Sequence, residues 1–188
     1  HNSLLKVTQL DFTSLFNAST SGNAGPLKRP IPMLSFALNY YFSGAYDPVT
    51  FKITNTIIHS INTTLLFILS LQILKLTPNF KGNKALLAAA VALIWCAHPI
   101  NLTSVLYVVQ RMTALSSLFS LSSIILYIAA RETPLSNHPP WRSYCLFIVS
   151  TLSFAFALFS KENAILVPLF ILLIEILFFS DKAPWRYF

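Results

Sequence analysis

A few ionisable side chains stand where a chain this apolar has little use for charge: Lys28-Arg29, His59, His98, Arg111 and the neighbours Lys161-Glu162. A charge placed in lipid costs roughly 2.5–3.5 kcal/mol on insertion scales unless it reaches the interface or finds a partner. Cations gathered at one membrane face therefore point to an anion, and a phosphate or diphosphate at headgroup depth suits them. Glu162 can orient Lys161 or Arg111 by a charge-assisted hydrogen bond, and Asp11 and Asp47 are weaker candidates for a general base. Each residue also has a plainer reading. Lys28 and Arg29 serve equally as headgroup anchors, and His59 and His98 as neutral histidines satisfied by carbonyls. Lys161 and Glu162 can pair with each other, or Glu162 can sit at a helix N-terminus that favours negative charge. Glu175 reads as one half of a structural pair or as a side chain reaching the interface. Arg111 is harder to set aside, because it interrupts an otherwise apolar stretch from Val105 to Leu118.

The elements that must hold these residues follow from composition. Of 188 residues, 55% are apolar and 10% charged, against roughly 25% charged in soluble domains, so the solvent of most of this surface is lipid. The chain reads as an all-α polytopic membrane protein. Residues 1–52 form an extracytoplasmic loop, polar and turn-rich up to Pro30, with Gly25-Pro26 among its turns. An interfacial helix at about 30–44 carries Phe36, Tyr40, Tyr41 and Phe42 and lies in the headgroup plane. Residues 53–188 form a bundle of about five spanning helices: Asn55–Leu74, Ala85–Ala97, Thr113–Ala130, Tyr144–Ser160 and Asn163–Leu177. The second is short of the roughly 20 residues a span needs, and reaches depth by continuing past His98-Pro99 as a kinked helix.

Sidedness comes from Lys and Arg. With the first loop outside, one set of connections carries Lys75, Lys81, Lys84, Arg131, Arg142, Lys182 and Arg186, and the short opposite ones only Arg111 and Lys161. The cationic set is expected in the cytoplasm, where Pro134, Pro139 and Pro140 break the chain. The net charge of +7 forms no basic run or stripe, so nucleic acid is not an expected partner. Cys96 and Cys145 fall inside apolar spans and indicate no disulfide. No nucleotide-binding loop, metal-ligand spacing or Ser/His/Asp arrangement is present. Asn17-Ala18-Ser19 and Asn101-Leu102-Thr103 match the N-glycosylation pattern, a short and unspecific one. The chain opens on His1, so a piece of a longer protein is expected.

Five segments in order, Arg29-Pro30-Ile31-Pro32-Met33 through Tyr40, Phe51 to His59, His98-Pro99, Val108-Val109-Gln110-Arg111, and Phe159-Ser160-Lys161-Glu162-Asn163, resemble the membrane region of the TMTC family. These are tetratricopeptide-containing O-mannosyltransferases of the GT-C superfamily. Gln110-Arg111-Met112 and the Lys161-Glu162-Asn163 turn look more like its bacterial branch than its animal one. The resemblance implies a GT-C-like helix bundle that moves a sugar from a polyprenyl-phosphate donor to a hydroxyl of a protein or glycan. It implies donor binding by Arg29, His59, His98, Gln110, Arg111 and Lys161, and catalytic carboxylates of which Glu162 and Asp11 are the candidates in view. No tightly held cofactor follows from it, although a divalent cation could accompany the phosphate. The family's acidic pair, its first spanning helix and its C-terminal repeats lie beyond this sequence, and Thr103 stands where the family carries Glu. The expected setting is a bacterial inner membrane with the site facing the periplasm, or an endoplasmic reticulum membrane with the site in the lumen. The rival expectations are a non-catalytic membrane scaffold and a transporter of lipid-linked substrates.

Overall fold

The computed structural model describes residues 3–22, 27–77, 80–133 and 139–180, and every regular element among them is helical. In chain order the α-helices are α1 (Phe12–Thr20), α2 (Pro30–Ser43), α3 (Pro48–Leu76), α4 (Lys84–Ala97), α5 (Leu102–Leu106), α6 (Arg111–Glu132), α7 (Pro140–Ser160) and α8 (Val167–Ile174). Short 3₁₀ turns at Pro99–Asn101, Val108–Gln110 and Glu162–Leu166 join α4 to α5, α5 to α6 and α7 to α8, and a π-turn at Glu175–Phe179 extends α8.

The helix starts are written locally. Asp47 caps α3 by accepting from the backbone N–H of Val49 and Thr50 at 3.1 and 3.0 Å, with Pro48 at the first helical position, where its missing N–H costs nothing. Asn83 caps α4 through Leu86 N–H at 3.1 Å. Gly44 ends α2 in the left-handed region, φ 68°, with its N–H on Tyr40 O at 2.9 Å.

Among the described residues, four helical stretches are long and apolar enough to cross a membrane: Pro48–Leu76, Val108–Glu132, Trp141–Ser160 and Glu162–Phe179. The pair Lys84–Ala97 and Pro99–Leu106, bent by 53°, makes a fifth when counted as one broken span. These overlap the segments placed from the sequence, with the first span starting seven residues earlier, at Pro48 and not Asn55, and the protein is an all-α polytopic membrane protein. The second span is more than kinked. Pro99 offers no N–H, and His98 Nδ1 accepts from Ile100 N–H at 3.2 Å, so a new short helix begins where the old one stops.

One correction concerns residues 12–20, read from sequence as loop, which fold as α1. Asp11 Oδ2 accepts from Ser14 N–H at 3.1 Å, a cap that two and a half turns do not advertise as periodicity. The expected turn at Gly25-Pro26, the expected break at Pro134 and the cations Lys182 and Arg186 lie outside the described residues.

Helix α6 is the centre, packed along α7 on one side and α3 on the other, with α4 against α3 and α8 beside α6. The main core joins Ile124, Ile128, Ala157, Val167 and Phe179. Helix α2 is too short to span. It lies across one end of the bundle, burying Met33 and Phe36 against Phe51 of α3 and Met112 of α6. Outward side chains such as Ile57, Leu93, Ile148, Leu152, Leu172 and Leu177 are all about half exposed or more, as a lipid-facing surface requires.

Candidate functional site

Alternating helix directions bring the start of α3, the α4–α5 elbow, the start of α6 and the α7–α8 turn to the same end of the bundle, under α2. The residues singled out by sequence gather there, except Glu175 at the far end of α8, and they divide into separate groups.

Arg111 is fully buried and wholly engaged by protein. Its Nε donates to Asn55 Oδ1 at 2.8 Å, Nη1 to Asn39 Oδ1 at 2.7 Å and to Ser35 O at 3.3 Å, and Nη2 to Phe51 O at 2.9 Å. The guanidinium lies 4.8 Å from the Phe36 ring centre and 5.1 Å from that of Phe51. It ties α2, α3 and α6 together and presents no open surface to a lipid phosphate.

Arg29 pairs with Glu162, Nη2 to Oε2 at 2.8 Å and Nε to Oε1 at 3.4 Å. Beside this fork, Lys28 and Arg29 take left-handed conformations, φ 54° and 50°, that non-glycine residues adopt at a cost. Glu162 therefore orients Arg29, not Lys161 or Arg111 as the sequence suggested. Asp11 and Asp47 both cap helices. Hydrogen bonds from Ser14 and from Thr50 respectively hold each carboxyl below the usual carboxylate range, which makes each a poorer proton acceptor. His98 is exposed at the elbow, with Nδ1 spent on Ile100 N–H.

Lys161 is different. Its Nζ donates to Thr113 Oγ1 at 2.7 Å, and Thr113 in turn donates to Gln110 Oε1 at 3.0 Å. This chain links two of the residues assigned to donor binding through a threonine the sequence reading passed over. Lys161 and Thr113 stand at the polar end of a cleft of about 320 Å³ between α3, α4, α6 and α8. Along α6 the cleft is lined by Thr113, Ser116, Ser117 and Ser120, then by Leu121 and Ile124, with Leu66, Val167 and Phe170 opposite. From Thr113 to Ile124 the helix rises about 16 Å, roughly half of the hydrocarbon thickness.

A second, smaller cavity of about 190 Å³ adjoins it, sharing Trp95, Thr113 and Ser117 as walls and adding His59, Asn62, Asn101 and Ser104. His59 Nε2 donates to Cys96 O at 3.2 Å, and its ring stacks on Trp95 with centres 5.0 Å apart. Asn101 Nδ2 donates to Trp95 O at 2.6 Å, so this asparagine of the glycosylation pattern is already engaged. Thr103 is exposed and bonds Ile100 O at 3.0 Å.

The expected convergence of Arg29, Arg111 and Lys161 on one cavity is thus not found. Of those proposed to bind the donor, Lys161 and His59 line the two adjoining cavities, and Arg29, Arg111, Gln110 and His98 line neither. The sequence reading missed the hydroxyl stripe of α6, spaced i, i+3, i+4, i+7 inside a spanning segment, and Asn39, Asn55 and Asn62, polar amides in apolar helices. The asparagines were legible as amides that lipid disfavours on an outer face, whereas the hydroxyls were legible by spacing alone, since Thr56, Ser60 and Thr64 stand exposed on α3 with each Oγ bonded to its own helix. Among the described residues no three His, Cys, Asp or Glu side chains gather as metal ligands.

No family model and no solved structure matches the chain. Curated proteins do. Protein O-mannosyl-transferase TMTC4 of Mus musculus is 31% identical over 144 residues, 74% of this chain and 19% of the relative. Its Homo sapiens counterpart is 33% identical over 146 residues, with the same shares. Protein O-mannosyl-transferase Tmtc2 of Drosophila melanogaster is 28% identical over 149 residues, 79% of this chain and 15% of the relative. The chain spans about a fifth of the length of the first two relatives, and over some three quarters of itself it is similar to proteins named as O-mannosyl-transferases of the TMTC type.

Proposed function

We propose that this chain is the donor-binding membrane portion of a GT-C-type glycosyltransferase that moves a sugar from a polyprenyl-phosphate carrier to a hydroxyl of a protein or glycan. The observation that carries the reading is the Lys161 cleft. A cation and a run of hydroxyls at its polar end pass into an apolar groove along α6, and Phe170 at the far end is half exposed on the lipid-facing side. That order of surfaces fits a phosphate head with an isoprenoid tail. The names of the relatives support transfer of a mannosyl group to protein as the reaction.

In the transfer, the acceptor hydroxyl oxygen bonds to the anomeric carbon as the bond from that carbon to the phosphate oxygen breaks. The electron pair leaves with the polyprenyl phosphate, and the hydroxyl proton passes to a base. Lys161, held by Thr113, stabilises the charge growing on the phosphate, the kind of electrostatic term that dominates many catalysed reactions. Neither cavity is walled by a carboxylate among the described residues. The base is accordingly assigned to a carboxylate of the same protein outside this sequence, as the resemblance to the family implies. The working end is assigned to the non-cytoplasmic side, supported by Lys75, Lys81, Lys84, Arg131 and Arg142 at the opposite end. The wording at Gln110-Arg111-Met112 and Lys161-Glu162-Asn163 supports a bacterial inner membrane and a periplasmic site. An endoplasmic reticulum membrane with a lumenal site would use the same chemistry.

The lack of a carboxylate on either wall favours one alternative, a non-catalytic membrane module that holds the lipid without transferring its sugar. Membranes containing the full chain separate the two. Transfer from a polyprenyl-phosphate mannose is expected to fall about 100-fold in Lys161→Ala and to recover in part in Lys161→Arg. Unchanged transfer in Lys161→Ala discards the role of Lys161, and lipid binding without any transfer by the unmodified protein favours the module.

A further inference from the structure

Asn62 lies on α3 one helical turn beyond His59, is 2% exposed, and donates through Nδ2 to Ala114 O at 2.9 Å, yet its Oδ1 is buried with no partner. A buried acceptor left unpaired is costly to a fold, so such an atom asks what donates to it. Asn62 lines the smaller cavity beside the Lys161 cleft. On the same wall His59 donates from Nε2 to Cys96 O, and in that tautomer Nδ1 is a second acceptor. The hydroxyls of Ser104 and Ser117 complete the lining, where each can both give and accept.

This inventory sorts the possible occupants. A phosphate offers only acceptor oxygens and would face the lone pairs of Asn62 Oδ1 and His59 Nδ1. A neutral polyol offers O–H donors to both and acceptors to the serines. Thr113 and Ser117 belong to both cavities, so a group covalently attached to a phosphate at Lys161 can reach into this one. We infer that the cavity walled by His59, Asn62, Ser104 and Ser117 is the sugar subsite of the donor, in which Asn62 Oδ1 accepts a hydrogen bond from a sugar hydroxyl. The inference rests on the transferase reading, and it deepens it: Lys161 reads the phosphate and Asn62 reads the sugar.

Two ligands on the full chain in lipid nanodiscs test it, a mannosyl polyprenyl phosphate and the same polyprenyl phosphate without sugar. Asn62→Ala is expected to weaken the sugar-bearing lipid about three- to tenfold, the worth of one hydrogen bond, and to leave the sugar-free lipid unchanged. Because Asn62 also holds the Ala114 carbonyl, Ser104→Val, at a wall of the smaller cavity alone, provides a variant that breaks no hydrogen bond within the protein and is expected to act the same way by filling the cavity. If Ser104→Val weakens both lipids equally or neither, the subsite is overturned while the Lys161 site stands. If it alters only the KM for the acceptor, the hydroxyl belongs to the acceptor and the assignment to the donor fails. If the unmodified protein binds neither lipid, the transferase reading itself has failed.

Discussion

Arg111 shows how far a single residue can be read before its surroundings are known. A guanidinium in an apolar segment demands a partner, and that demand is legible in the sequence. Which partner is not, because Asn39, Asn55 and the carbonyls of Ser35 and Phe51 come from two other helices. Fully engaged, Arg111 is a staple whose removal orphans several buried acceptors at once. Arg111→Ala is expected to destabilise the folded protein by about 3 kcal/mol or more, measured by unfolding in detergent, with the affinity of surviving folded protein for polyprenyl phosphate little changed. A variant that stayed fully stable but lost the lipid would return Arg111 to the binding site. The same limit explains Glu162. Its neighbour in sequence is Lys161, but the turn aims its carboxylate at Arg29, 133 residues away. His59 was read as a satisfied neutral histidine or a ligand, and it is both satisfied by Cys96 O and placed on a cavity wall.

At the scale of elements, the spans were legible because twenty apolar residues have few other uses. Their pairing was not read, although the pattern is present. On α6, Ser116, Ser123 and Ala130 recur every seven residues, and on α7 Ser143, Ser150 and Ala157 do the same. Antiparallel packing sets them face to face. Ser116 Oγ donates to Ala157 O at 3.3 Å, Ser123 and Ser150 each donate to the other's carbonyl at 3.0 and 2.8 Å, and Ser143 Oγ donates to Ala130 O at 2.8 Å. Small residues let membrane helices approach closely, and a seven-residue spacing keeps the seam facing its partner. Ser123→Leu is therefore expected to cost about 1–3 kcal/mol by overpacking, and Ser123→Ala about 0.6 kcal/mol, the mean worth of such bonds in membranes. Unfolding in a denaturing detergent would show it, and a leucine variant as stable as the alanine one would mean that the seam is loose. Close packing of α7 on this side leaves the adjoining face of α6, with Thr113, Ser117 and Ser120, to line the cleft, and Ser116 stands at the border of the two.

The whole molecule has two unlike ends. At one, Arg131 and Glu175 pair at 2.5 Å with the Tyr127 hydroxyl donating to the same carboxylate at 2.7 Å, a closed cluster with its charges balanced. At the other, Arg29 and Glu162 balance each other and Arg111 is absorbed, which leaves Lys161 beside a cleft that continues toward the middle of the bundle. Composition foretold that cations would gather at that end, but not that most would be consumed in holding α2 down over it. The central claim is that this cleft seats a polyprenyl phosphate, head at Lys161 and tail along α6 and α8. Photocrosslinking with a polyprenyl phosphate carrying a photoreactive group in its first isoprene units, mapped by peptide mass spectrometry, tests it most directly. Label is expected on Leu121, Ile124 and Phe170 and is expected to disappear in Lys161→Ala; label spread over the outer face of α7, or unaffected by that substitution, would contradict it.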